Sequence, residues 1–336
     1  MRNGIFASIG GLVIVIMTAS LASVAGQAPA SAAKATKTTA AKNRTPPRTP
    51  WGDPDLQGQW NSQTSTPLQR PLTGVLAGRE TLSDEEAEAL EEANRASFDS
   101  APREGDPGTY NAFWRDQGKA LTRTSLIVDP PDGRIPPLTP EAQKRIDAER
   151  AERSKRGPID SPDTYEDLSP WTRCISRGWS PIGSFYSSNY QIFQAPEYVV
   201  VLQELIHEAR IIPLDGRPHI SQHILQWMGD SRGHWEGNTL VVDTTNFDPR
   251  TNFQGSSQTL HLIERYTRLD ANTIDYQFTI DDPKTFTRPW TAVRPATRVT
   301  GGVSIFEYAC HEGNYAMRGM LAGARAAEKA AAAAGK

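Results

Sequence analysis

The sequence predicts a mainly β protein, with an antiparallel meander or barrel-like sheet in its C-terminal half and an irregular N-terminal wrap carrying two surface helices. Three observations lead there. Between Thr273 and Asp281, Ile274, Tyr276, Phe278 and Ile280 alternate with Asp275, Gln277 and Thr279, the period of two that marks a strand with one buried and one wet face. Apolar runs recur from Tyr190 onward, separated by short turn clusters and not by long helices, which favours an antiparallel sheet curling on itself. From Trp51 to about Gly183 the chain is instead dense in Pro, Gly and charge, with little periodicity.

Residues 1–25 read as a signal peptide. Arg2 gives the positive start, Ile5 to Val24 is apolar and rich in small residues, and cleavage fits after Ala25 or after Ala32. The alternative is an uncleaved anchor, since the run approaches the ~20 residues that span a bilayer. Cleavage puts the mature chain in the periplasm or outside the cell, with no stable membrane insertion. Residues 26–50 read as a disordered basic linker, because Lys34 to Pro50 holds five basic residues and no acid. Setting those charges and Arg2 aside, the net charge of −3 becomes about −9 for the rest, which argues against nucleic acid as a partner.

In the wrap, residues 51–189, Ser83-Asp84-Glu85-Glu86 is a capping box that opens a helix to about Ala96. Thr139-Pro140-Glu141 opens a second, with Pro at the first helical position and Gly157 as its end. Residues 190–321 form the sheet domain. Its strands are read at Tyr198 to Leu202, Arg210 to Leu214, Thr239 to Asn246, Leu260 to Leu269, Thr273 to Asp281, Phe286 to Thr297 and Val303 to Cys310. Asp270-Ala271-Asn272 joins two of them as a hairpin. The Ala-rich stretch 322–336 has no apolar face to bury and reads as a frayed helix or tail. The two cysteines, Cys174 and Cys310, form either two buried thiols or one disulfide closing a long loop, worth about 4–5 kcal/mol if unstrained.

The segments WGDPDLQGQW at 51–60, RIIPLDGRPH at 210–219, GHWEGNTLVVDTTNF at 233–247, LHLIERYTR at 260–268, TIDDPKTFTRPW at 279–290 and FEYACHEGNY at 306–315 resemble a large family of secreted bacterial proteins. The resemblance covers nearly everything after Trp51 and implies export, but no single reaction. At His207, Arg210, Asp215, Arg217, His219, His261 and Glu264 this chain carries the residue types the family keeps, whereas His311 resembles a feature of some members only.

All six histidines lie between His207 and His311, interleaved with arginines and carboxylates. Three chemistries compete for them. Gly229-Asp230-Ser231-Arg232-Gly233 matches a serine-hydrolase elbow, but a strand and not a helix follows Ser231. A metal would use His207, His219, His223 and His261 or His311, yet no second histidine completes a helical pair after His207-Glu208, and Arg210, Arg217 and Arg232 repel a dication. Metal-free acid–base chemistry fits best, with His207, His219, His261 and His311 as catalytic candidates. Arg210 and Arg217 then bind an anionic oxygen, Tyr190 gives an aromatic wall together with Trp227, Trp235 and Tyr266, and Glu264 or Asp215 orients an imidazole.

Strand parity opposes part of this site. His207 and Arg210, and likewise His261 and Glu264, are three apart and fall on opposite faces of a regular strand, so a bulge must intervene for both to reach one pocket. The expectation is an exported lyase or isomerase acting on a small aromatic or carboxylated molecule. A non-catalytic binder of such a molecule and a metal-dependent or serine hydrolase are the alternatives. No nucleotide, phosphate or cofactor motif is present, so no cofactor is expected.

Overall fold

The computed structural model describes residues 46–101, 111–115, 118–155, 162–179, 186–301 and 305–334. The signal peptide, most of the basic linker and the helix stop at Gly157 lie outside these residues. As expected, the described chain is mainly β: an 11-stranded antiparallel sheet nearly closed into a barrel, with three α-helices outside it.

The strands are β1 (Gly58–Asn61), β2 (Ile127–Asp129), β3 (Asn189–Ala195), β4 (Tyr198–Gln203), β5 (Ala209–Pro213), β6 (Asp230–Glu236), β7 (Thr239–Thr245), β8 (His261–Arg268), β9 (Thr273–Asp281), β10 (Trp290–Val293) and β11 (Ala296–Arg298). They are ordered β5-β4-β3-β1-β11-β9-β8-β7-β6, with β10 lying between β9 and β2. The β8–β9 hairpin is in the register that the alternation demands, with Tyr266 opposite Tyr276 and Glu264 opposite Phe278. Leu262, Glu264, Tyr266 and Arg268 of β8 and Ile274, Tyr276, Phe278 and Ile280 of β9 are buried, and the residues between them face outward. The turn at Gly237-Asn238 closes β6 onto β7 in two residues, with Gly237 at φ +62, the left-handed geometry that matches strand twist.

The barrel nearly closes between β5 and β6. A Cβ on Gly233 would stand 2.7 Å from a Leu214 methyl and 2.8 Å from an Ile212 methyl, so the missing side chain lets the two terminal strands approach.

Both expected helices are present. The first, α1 (Asp84–Phe98), has its capping box, with Ser83 Oγ accepting from the Glu86 amide and the Glu86 carboxylate accepting from the Ser83 amide. The second, α2 (Pro140–Lys155), starts where Thr139 Oγ1 accepts from the Ala142 amide.

Four features differ from the sequence reading. The wrap donates β1 to the middle of the sheet, where Trp60 is fully buried, and β2 to its edge. The strand expected over Phe286 to Thr297 is two strands, because after the Arg294 amide donates to the Tyr276 carbonyl of β9, Pro295 has no amide to give and the pairing breaks. Of Val303 to Cys310, residues 305–309 have no regular structure, with the Tyr308 carbonyl turned to the Cys310 amide. The tail is helical, one of the two forms expected, but the helix, α3 (Tyr315–Ala334), starts ahead of the Ala-rich stretch and is held at Arg325, which donates to the Pro162 and Asp163 carbonyls.

Cys174 and Cys310 form a disulfide, S–S 2.00 Å, across 136 residues of sequence. It joins the segment leading to Trp179 with the one preceding α3, and Asn314 Nδ2 donates to the Thr172 carbonyl at 2.8 Å beside it.

Candidate functional site

The inward face of the barrel carries charge. Glu264, in mid-β8, is fully buried, and alternation on the flanking strands surrounds it with donors. Arg210 of β5 reaches it with both terminal nitrogens, Nη1 to Oε2 at 2.6 Å and Nη2 to Oε1 at 3.1 Å. Tyr266 and Tyr276 hydroxyls donate to Oε1 at 2.8 Å each, and Trp179 Nε1 at 3.0 Å. Burial pushes the Glu264 carboxyl up, but the Arg210 charge and these hydrogen bonds outweigh it and hold the group below its ordinary value. Burial opposes the Arg210 charge too, and Glu264 beside it raises that guanidinium above its ordinary range. Burial first, and the Glu264 charge second, drive both tyrosines well above the usual phenol value. The cluster is therefore an ion pair with two neutral phenols, its acceptors saturated.

Above it opens a cleft with about 650 Å³ of space between its walls, including the mouth. Its lining contains Arg210, Glu264, Tyr266, Tyr276 and Trp179, together with Ser62, Tyr190, Val201, Gln203, Arg177 and Arg294. Tyr190 shares a 3.1 Å hydrogen bond with Ser62, and burial pushes its phenol up to about 12. Arg294, 2 % exposed, donates to Gln63 Oε1 at 3.1 Å, and burial lowers its guanidinium to about 10. Arg177 lies over the Trp171 ring at 4.4 Å, and burial lowers it as well. At pH 7 all three arginines are charged, against one lining carboxylate.

Of the residues singled out by sequence, Arg210, Glu264, Tyr190 and Tyr266 meet in this cleft, whereas Trp227 and Trp235 do not line it. The histidines do not join them. His207 sits in the short turn between β4 and β5, exposed, with Nδ1 3.2 Å from the Tyr308 carbonyl. It and Ile206 hold φ +45 and +61, left-handed values unfavourable for a β-branched side chain such as Ile206. His219 and His261 belong to the outer face, because parity sends His261 outward from β8 while Glu264 points in. No bulge intervenes. There they form a chain: Asp230 Oδ2 to His219 Nδ1 at 2.9 Å, His219 Nε2 to Asp243 Oδ1 at 2.9 Å, and Asp243 Oδ2 to His261 Nε2 at 2.5 Å. Arg217 is exposed and bonds Asp215 and Tyr198, and His311 is exposed in the turn after Cys310.

The single pocket expected for the histidines and arginines is thus two separate places, an interior cleft and an outer-face chain. Ser231 is buried in mid-strand, 3.0 Å from Thr244 Oγ1. Among the described residues, no group of three or more His, Cys, Asp or Glu is arranged to hold a metal ion.

Sequence reasoning missed Arg177, Trp179, Ser62, Tyr276 and Arg294. Only Tyr276 had a signal, being a phenol on the inward face of the clearest strand. No protein-family model, curated protein or solved structure matches this chain.

Proposed function

We propose that this is an exported protein that binds a small, partly aromatic organic molecule inside its barrel. The observation that carries this reading is the interior cleft, where aromatic side chains flank a fixed polar floor, as small-molecule sites commonly do. The disulfide is consistent with an oxidising compartment. Capture fits better than the lyase or isomerase chemistry expected from the histidines. The described lining holds no imidazole, and its one carboxylate already accepts five hydrogen bonds, so no lining group is free to take a proton.

A thermal-shift screen of small aromatic alcohols, amides and carboxylates tests this. A compound present at 100 times its Kd stabilises by about 2.7 kcal/mol, or about 5–10 °C in Tm. Gln203→Trp, which plugs the cleft at a lining position, should abolish the shift. His219→Ala and His261→Ala should preserve it. A shift that survives Gln203→Trp and disappears in the histidine variants would place the site on the outer face instead.

A further inference from the structure

We propose that the cleft is built for an anion, a small aromatic carboxylate whose charged group sits against Arg177 with Arg294 as the second cation of the site. This rests on the capture reading above and narrows it to one class of ligand. Taking a guanidinium out of water costs several kcal/mol unless charge or hydrogen bonds offset it. Arg210 has its offset in the two-pronged contact with Glu264. Arg268, elsewhere in the barrel, has its own in the carbonyls of Asp55, Asp270 and Ala271. Among the described residues no carboxylate or carbonyl is hydrogen-bonded to the Arg177 guanidinium. Its buried Nη1 makes no hydrogen bond among them, the Trp171 ring face lies against the guanidinium, and the neighbouring polar groups are the phenols of Tyr186 and Tyr308. The cleft therefore keeps an excess of positive charge after Glu264 is counted.

A carboxylate supplies what is missing, one negative charge and acceptor oxygens matching the planar guanidinium fork. The remaining walls, Tyr190, Tyr266, Tyr276, Trp179 and Val201, suit the flat apolar body of an aromatic ring. The tyrosines stay protonated at neutral pH, so none competes with the ligand as an anion.

Benzoate and its neutral near-isostere benzamide are the probes, titrated calorimetrically into the full mature chain. Benzoate should bind at least about tenfold more tightly, a difference of about 1.4 kcal/mol. Arg177→Gln should bring the two within about threefold, and Arg177→Lys should restore only part of the preference, because it returns the charge but not the planar fork. Arg177 is only half-buried, and an unchanged Tm for Arg177→Gln shows that folding is not the cause. Equal binding of the two probes, or a preference untouched by Arg177→Gln, overturns the anion inference and leaves the cleft reading standing. Failure of both probes to bind overturns the two together. Benzoate bound undiminished by Gln203→Trp also overturns the inference, because the anion then sits elsewhere.

Discussion

Glu264→Gln is the perturbation whose effect the structure defines most fully. The glutamine carbonyl can take the place of Oε1 and keep the bonds from Tyr266, Tyr276, Trp179 and Arg210 Nη2. Its NH2 then stands where Oε2 was, 2.6 Å from Arg210 Nη1, donor against donor. The guanidinium stays buried without its counter-charge. Breaking a buried pair from one side costs about 3–5 kcal/mol, a large share of the ~5–15 kcal/mol that holds a typical domain together. At about 2–4 °C per kcal/mol, Tm should fall by about 6–20 °C.

Arg210→Met leaves the opposite charge stranded and should cost a similar amount. The double variant strands neither, so its loss should fall short of the sum of the singles by about 2 kcal/mol or more. Urea unfolding of the four proteins measures the cycle. Additivity within about 0.5 kcal/mol, or single losses below about 1 kcal/mol, would refute the claim that Arg210 and Glu264 form one coupled unit beneath the cleft.

Two further predictions concern the outer face and the disulfide. The hydrogen bond that His261 donates to Asp243 raises its imidazole above its ordinary 6.5, so this stabilisation is full below that value and is lost as pH rises through the folded one. Burial pushes Asp243 up, but its bonds with His261 and His219 hold it below 3.8, so its contribution is present above 3.8 and lost as pH falls through the lower folded value. Between about pH 4 and 6.5 both act. With both side chains about a third exposed, solvent screening limits the effect to about 1 kcal/mol, and Asp243→Asn should remove the loss of stability that urea unfolding sees as pH rises above 6.5; an unchanged slope would count against the pairing. Replacing Cys174 and Cys310 with serine should cost about 2–5 kcal/mol by the same assay and weaken benzoate binding, because the bridge anchors the segment bearing Arg177 and Trp179. A variant that unfolds more easily yet binds benzoate normally would separate the bridge from the cleft.

The parts of the fold legible in the sequence are those fixed by near neighbours. The alternation in β9, the Asp270-Ala271-Asn272 hairpin, the capping box at Ser83 and the Pro140 start each depend on a few adjacent residues, and each is where the sequence places it. Strand β1 is four residues long and pairs with β3 and β11, more than a hundred residues away, so no local pattern announces it. The site divides the same way. Parity alone separates His261 from Glu264, and the structure obeys it without a bulge. The clustering of histidines in sequence misled, because the loop carrying His219 folds onto the outer face and its imidazole is held there by Asp230 and Asp243. Arg177 and Arg294 come to the cleft from segments without periodicity, through the disulfide-tied chain and the β10–β11 break, which only the closed sheet brings together.

Calorimetric titration of benzoate into the wild-type chain, Gln203→Trp, and the His219→Ala/His261→Ala double variant tests the central claim most directly. One site per chain is expected, lost in Gln203→Trp and intact in the histidine double variant. Binding that persists with the cleft plugged, or disappears with the outer histidines, would contradict it.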